Sequence, residues 1–146
     1  VNYFRTFDIE TGPLPSEEIK DLLPRPKYGN TKDPEKRAEM DKAHYEDALK
    51  DAALEALTGR VLAVGVKDND GPAKIIDCDD EAELLELSWK AICSDRPDRR
   101  EPLITGFGIV DFDLPFLMQR SIINSVAWPM WIRNGRYFSR QFVDLR

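Results

Sequence analysis

The apolar and polar positions predict an α/β order. Residues 1–7 form an apolar run that leads into Asp8-Ile9-Glu10, and residues 1–8 read as a first strand. Residues 11–30 are rich in Pro and Gly and read as a connection with a short helix near residues 16–23. Asp33-Pro34-Glu35 is a helix start, with an N-cap acid, a proline at the first helical position and an acid in the first turn. That helix is expected to run to about Leu57, with Ala38, Leu49, Ala52, Ala53, Ala56 and Leu57 on one face and Gly59 as its stop. Residues 60–66 and 74–78 read as strands joined by the turn Asp68-Asn69-Asp70-Gly71.

Asp80-x-x-Glu83 is a capping box opening a helix to about Ser94, whose buried face is expected to be Ala82, Leu84, Leu85, Leu87, Trp89, Ala91 and Ile92. Residues 103–110 read as a fourth strand, and Pro115 starts a helix over residues 116–124. Asn134-Gly135 within residues 131–138 is a hairpin signal, and Phe142-Val143-Asp144-Leu145 starts a further strand. This order predicts a mixed sheet flanked by helices.

Composition narrows the class. A chain of 146 residues with 42% hydrophobic content corresponds to one domain with a real core. No apolar stretch approaches the roughly 20 residues of a membrane span, so no membrane partner is expected. No signal-peptide pattern is visible. Cys78 and Cys93 lack the spacing of a metal clip and are expected as buried free thiols, which fits a cytoplasmic location. A net charge of −6 argues against electrostatic wrapping of duplex DNA. The charge is uneven, however. Beyond Asp113 the arginines 120, 133, 136, 140 and 146 face only one acid, Asp144, which predicts an anion-facing side.

Two acidic segments carry the candidate chemistry. Residues i and i+2 of a strand share a face, so Asp8 and Glu10 lie side by side. On a buried strand two such carboxylates repel and lose hydration, a cost that divalent metal binding would offset. The structural alternative is a solvated pair, with Glu10 opening a Thr11-Gly12-Pro13 turn. The second segment is Gly106-Phe107-Gly108-Ile109-Val110-Asp111-Phe112-Asp113-Leu114-Pro115-Phe116-Leu117, where Asp113 sits between an apolar strand and an apolar helix. A helix N-cap is its ordinary structural role.

Together, Phe7-Asp8-Ile9-Glu10-Thr11 and Phe112-Asp113-Leu114-Pro115-Phe116-Leu117 resemble the first and second motifs of the DnaQ-like, or DEDD, 3′–5′ exonuclease superfamily. The likeness is nearest to predicted exonucleases related to the proofreading domain of family B DNA polymerases. It extends through residues 29–36 and 53–63, which look like the phage-associated branch. The resemblance implies a ribonuclease H-like fold over residues 1–146. It also implies a two-metal mechanism with Mg²⁺ or Mn²⁺ that hydrolyses phosphodiester bonds at the 3′ end of single-stranded DNA. Asp8 is the implied bridging ligand. Glu10 is implied to bind one metal and approach the 3′ end, and Asp113 to bind the other metal, partly through water.

The backbone of Thr11 and Gly12, with Phe112, is implied to contact the terminal nucleotide. Trp128, Trp131, Arg133, Arg136, Tyr137 and Arg140 supply the aromatic and basic groups that bind single strands, with hairpin and core packing as the structural alternative. Two departures stand out. Gly108 replaces an Asn common in that branch. The third motif, a fourth acid preceded by a His or Tyr, is absent, and no His follows His44. Asp144 lies on the strand preceding that motif and is not assigned as the fourth acid. A domain truncated at its C-terminus is therefore expected. The alternatives are a catalytically inactive nucleic-acid-binding or scaffold domain of the same fold, and a 3′–5′ exoribonuclease.

Overall fold

The computed structural model describes residues 3–23, 25–69, 71–94, 102–132 and 142–146. The expected hairpin of residues 131–138, with Arg133, Arg136, Tyr137 and Arg140, lies almost wholly outside them. The elements in chain order are β1 (Phe4–Pro13), α1 (Ser16–Ile19), α2 (Pro34–Ala52), β2 (Gly59–Asp68), β3 (Lys74–Ile76), α3 (Glu81–Cys93), β4 (Leu103–Gly106), α4 (Asp113–Ile123) and β5 (Phe142–Asp144). The strands form one mixed five-stranded sheet in the order β3-β2-β1-β4-β5. β1 and β4 are parallel with Arg5 opposite Ile104, β4 and β5 are parallel with Gly106 opposite Asp144, and β2 and β3 are antiparallel. This α/β sheet with flanking helices is consistent with a ribonuclease H-like fold.

The chain divides into two compact units, Val1–Glu10 with Val61–Arg146, and Thr11–Arg60. In the first, period-2 alternation puts Arg5, Phe7 and Ile9 of β1 inside and Phe4, Thr6, Asp8 and Glu10 outside. Val64, Leu84, Leu85, Ile92, Ile104, Ile109, Leu114 and Leu117 complete a core in which each full side chain contributes about 1.5–3 kcal/mol. The predicted capping box forms, with the Asp80 carboxylate accepting from Glu83 N at 2.9 Å. Leu87, expected inside, lies on the exposed side of α3. Ser88 takes an inward position because its hydroxyl donates back to Leu84 O at 2.7 Å.

Buried polar groups are tied across elements. Arg5 donates to Asp68 Oδ1 at 2.7 Å and to the last carbonyls of α3, Ile92 O and Ser94 O, at 3.2 and 2.7 Å. A cation at a helix C-terminus meets both the dipole and the orphan carbonyls. Arg120 of α4 forms a bidentate pair with Glu81 at the start of α3, with Nε to Oε1 at 2.9 Å. Glu81 Oε1 also accepts from Val61 N at 2.8 Å. Trp89 Nε1 donates to Ser121 Oγ at 2.8 Å.

In the second unit the expected N-cap holds, with Asp33 Oδ1 accepting from Glu35 N at 3.0 Å. α2 ends at Ala52, five residues short of the expected end, and residues 53–58 form turns. Gly59 opens β2 instead of stopping the helix. The expected apolar face is smaller than its sequence implies. Ala52 and Ala56 are buried, whereas Ala38 and Leu57 are exposed. β1 also runs past Thr11 and Gly12 to Pro13, so no turn opens at Glu10. Cys78 and Cys93 are free, as expected, but half-buried. Burial pushes the Cys93 thiol up to about 12.

The Arg5 tie predicts a measurable asymmetry. Arg5→Ala is expected to lower stability by about 3 kcal/mol, because it leaves the helix-end carbonyls without their donor and Asp68 without its buried cation. Lys50→Ala, which breaks the solvated Lys50–Asp47 pair, is expected to change it by less than about 0.5 kcal/mol. Urea denaturation of both variants at pH 7 checks this, and equal midpoints would remove Arg5 as a tie. The Arg5 guanidinium holds the Asp68 carboxyl below its ordinary 3.8. Its contribution is thus complete above that value and is lost as pH falls through the lower folded-state pKa.

Candidate functional site

β1, β4 and β5 run parallel, and the stretch of β1 beyond its β4 register, the start of α4 and the end of β5 carry the acids. Asp8 and Glu10 stand on the outward face of β1, Asp113 opens α4 shortly after β4, and Asp144 ends β5. Carboxyl ends of strands at a point where connections diverge to either side are the usual ligand position in open α/β sheets. Here β1 has β2 on one side and β4 on the other.

The expectation of a desolvated Asp8–Glu10 pair is corrected. Both are exposed, because the alternation that buries Phe7 and Ile9 turns their neighbours outward. The desolvated carboxylate is Asp113, only 5% exposed. Its ordinary N-cap role is also not the one it plays. Phe112 is the N-cap residue, with no side-chain cap, and Asp113 is the first helical residue. Its Oδ1 accepts from Ile9 N of β1 at 3.0 Å. The register of β4 against β1 extends from Phe4 to Thr6, so the Ile9 amide lies beyond that ladder and takes its partner from Asp113.

Burial raises the Asp113 pKa most. The negative charges of Asp8 and Asp144 raise it further, while the Ile9 amide and its own backbone amide oppose the shift. Asp113 and Asp8 therefore act on each other electrostatically across the β1–α4 junction. Glu10 is not among the groups that shift Asp113. Among the described residues, no group of three or more His, Cys, Asp or Glu side chains is arranged to hold a metal ion. Mg²⁺ is commonly held by only one or two protein carboxylates with waters, so a cage of three is not a requirement for it.

The remaining expected residues are distributed as follows. Thr11 and Gly12 continue β1 into the second unit, Thr11 half-buried and Gly12 buried. Phe112 is half-buried and tilts against Phe116, with ring centroids 5.4 Å apart. Trp131 is partly exposed and packs on Phe142, and Trp128 lines a cavity of about 680 Å³ with Trp89, Cys93, Pro129 and Met130. None of the acids above lines that cavity. Arg133 and Arg136 lie outside the described residues.

The expected anion-facing arginines are reduced by the structure. Arg120 is buried against Glu81, and Arg146 pairs with Asp111 at 3.3 Å. Sequence reasoning missed both pairs, since neither partner lies within helical or strand spacing of the other. Gly108, by contrast, is explained. Its φ is +70°, a left-handed conformation that Gly adopts freely and Asn tolerates better than most residues.

No protein-family model matches the chain, and no curated protein sequence does. Among solved structures the chain is similar to the family B DNA polymerase from the hyperthermophilic archaeon Pyrobaculum calidifontis. The identity is 15% and the TM-score 0.46, over 93% of this chain and 12% of the polymerase.

Asp113→Asn tests the strain at the acidic edge. An amide keeps an acceptor for Ile9 N but removes a buried charge beside Asp8 and Asp144. Because the folded-state pKa of Asp113 is raised above 3.8, its ionised form costs stability once pH exceeds the folded value, and costs nothing below 3.8. The variant should therefore melt higher than the wild type at pH 7, with the difference closing toward pH 3. Calorimetry across that range checks it, and a variant that melts lower at pH 7 would show that the ionised carboxylate stabilises this junction.

Proposed function

We propose that this chain is a metal-dependent 3′–5′ exonuclease domain acting on single-stranded DNA ends. The observation that supports the reading is that Asp113, the first residue of α4, is buried and accepts from the amide of Ile9, the residue between Asp8 and Glu10 on β1, at a desolvation cost its ordinary structural role does not explain. The residues of the two sequence motifs, about a hundred positions apart, thus meet at one edge.

Asp8, Glu10 and Asp113 are the residues that would hold Mg²⁺ or Mn²⁺, which when bound supplies Lewis-acid polarisation of a phosphodiester and a water ionised near neutral pH. The two exposed acids present their carboxylates to solvent and to an incoming strand end. Asp113 is fixed from behind by the Ile9 amide and by the first turn of α4. Phe112, immediately before it, offers a ring on which a terminal base can stack. Thr11 and Gly12 follow Glu10 directly in the chain. An edge built from side chains on strand ends reaches a phosphate in a frayed or single strand, not one inside a stacked duplex.

A second reading has its own support. The lack of a three-donor cluster among the described residues favours a domain of the same fold that binds nucleic acid without cutting it.

The deciding experiment incubates the chain with a 3′-labelled single strand and Mn²⁺. Release of the label is expected, slowed on the order of 100-fold or more in Asp8→Ala and Asp113→Ala, the cost typical of losing one transition-state electrostatic contact. Retention of the strand without release of label would replace the first reading by the second. Failure to retain it would remove both. Equal release from a matched RNA strand would make the substrate class the 3′ end of either nucleic acid.

A further inference from the structure

One carboxylate at the acidic edge is not used by the proposed chemistry. Asp144 ends β5, directly opposite Gly106 of β4. Its Oδ1 accepts from Gly108 N at 2.8 Å and Arg146 N at 2.9 Å, and its Oδ2 accepts from Val110 N at 3.1 Å. These amides, with that of Arg146 contributing most, hold the Asp144 carboxyl below its ordinary range. A carboxylate offers about four lone-pair sites. Three are occupied here, so Asp144 is poorly placed to ligate an ion.

Its donors point elsewhere. Gly108 and Val110 belong to residues 107–112, the segment that carries the chain from β4 to Asp113. That segment is closed by Asp111 N and Phe112 N, both donating to Gly108 O at 3.1 Å, and by Leu114 N donating to Ile109 O at 2.8 Å. Gly106 fixes its start. A Cβ there would lie 2.2 Å from Ile109 Cγ2 and 2.8 Å from Phe7 O, so only glycine allows the loop to fold back on β1. With Gly108 left-handed, alternate amides face one way and form a concave anion seat. Asp144 fills that seat from the neighbouring strand, and Leu145 N donating to Gly106 O at 2.9 Å holds β5 in place beside it.

We propose that Asp144 is a positioning residue: by clamping the Gly108 and Val110 amides it sets the loop that delivers Asp113 to the Ile9 amide. Asp144 thus acts on the acidic edge through the backbone, without contacting substrate. Only the activity arm of its test rests on the exonuclease reading.

The test is amide hydrogen exchange on the whole chain. In the wild type, the Gly108, Val110 and Ile9 amides are expected to be protected. In Asp144→Ala, Gly108 and Val110 open and the Ile9 amide exchanges about tenfold faster, the value of one hydrogen bond, while Val64 in β2 keeps its rate. Asp144→Asn, which retains an acceptor oxygen, should fall between the two. Asp111→Ala, which removes only the exposed pair with Arg146, should leave all three amides protected.

An unchanged Ile9 rate alongside opened Gly108 and Val110 amides overturns the proposal. So do wild-type Gly108 and Val110 amides that exchange as an open loop, a result that needs no variant. If Asp144→Ala does not fold, an unchanged Ile9 rate in Asp144→Asn with Val110 opened overturns it equally. Where the wild type releases a 3′ label, Asp144→Ala slows release and Asp144→Asn restores part of it. A wild type that releases no label removes the nuclease reading and leaves the Ile9 result standing.

Discussion

The hydrogen bond from the Ile9 amide to the Asp113 carboxylate is the constraint on which the acidic edge depends. β4 ends too early to pair the carboxyl half of β1, so a backbone donor inside the protein needs an acceptor from elsewhere. Asp113 supplies it, and in doing so an ionisable group is taken out of water beside two other acids. Burial and like charge both resist this, against which stand one amide and the first turn of a helix. An Asn or Ser would make the same bond without the charge. A carboxylate kept here against its own desolvation is the physical basis of the proposed function.

The two ends of β1 divide the labour. At the amino end Arg5 gathers Asp68 and the last carbonyls of α3, converting an ion pair and a helix dipole into a tie between strand and helix. On the far side of α3, Glu81 and Arg120 do the same between α3 and α4. Both arginines are almost fully buried, which makes the loss of either partner costly.

Much of this was legible in the sequence, and its limits have physical causes. Helix starts were read correctly where a side chain bonds its own backbone, as at Asp33 and Asp80, because that chemistry is local. The end of α2 was misplaced because alanines at helical spacing look apolar yet bury little area, and residues 53–58 find turn hydrogen bonds instead. The acids at positions 8, 10 and 113 stand out in the sequence, but the exposure of the first two and the burial of the third are visible only in the structure. Alternation along β1 turns Asp8 and Glu10 outward with Thr6, whereas the burial of Asp113 comes with its bond to the Ile9 amide, a contact made 104 positions away. Arg120 was read as part of an anion-facing surface because its partner, Glu81, lies 39 positions away, beyond any local rule.

The Gly108 position shows how a departure from a pattern becomes informative once backbone angles are known. Read as a lost Asn, it removes an amide group and casts doubt on the second motif. Read as a residue at φ +70°, it preserves what the position requires, a left-handed turn that aims the amides of residues 108 and 110 at one point. The identity of the side chain then matters less than the curvature it permits. The anchor of that curvature is a carboxylate delivered by a strand more than thirty residues later. A motif read as a short string is in this fold a property of two strands, β4 and β5, whose register sets where Asp113 can stand.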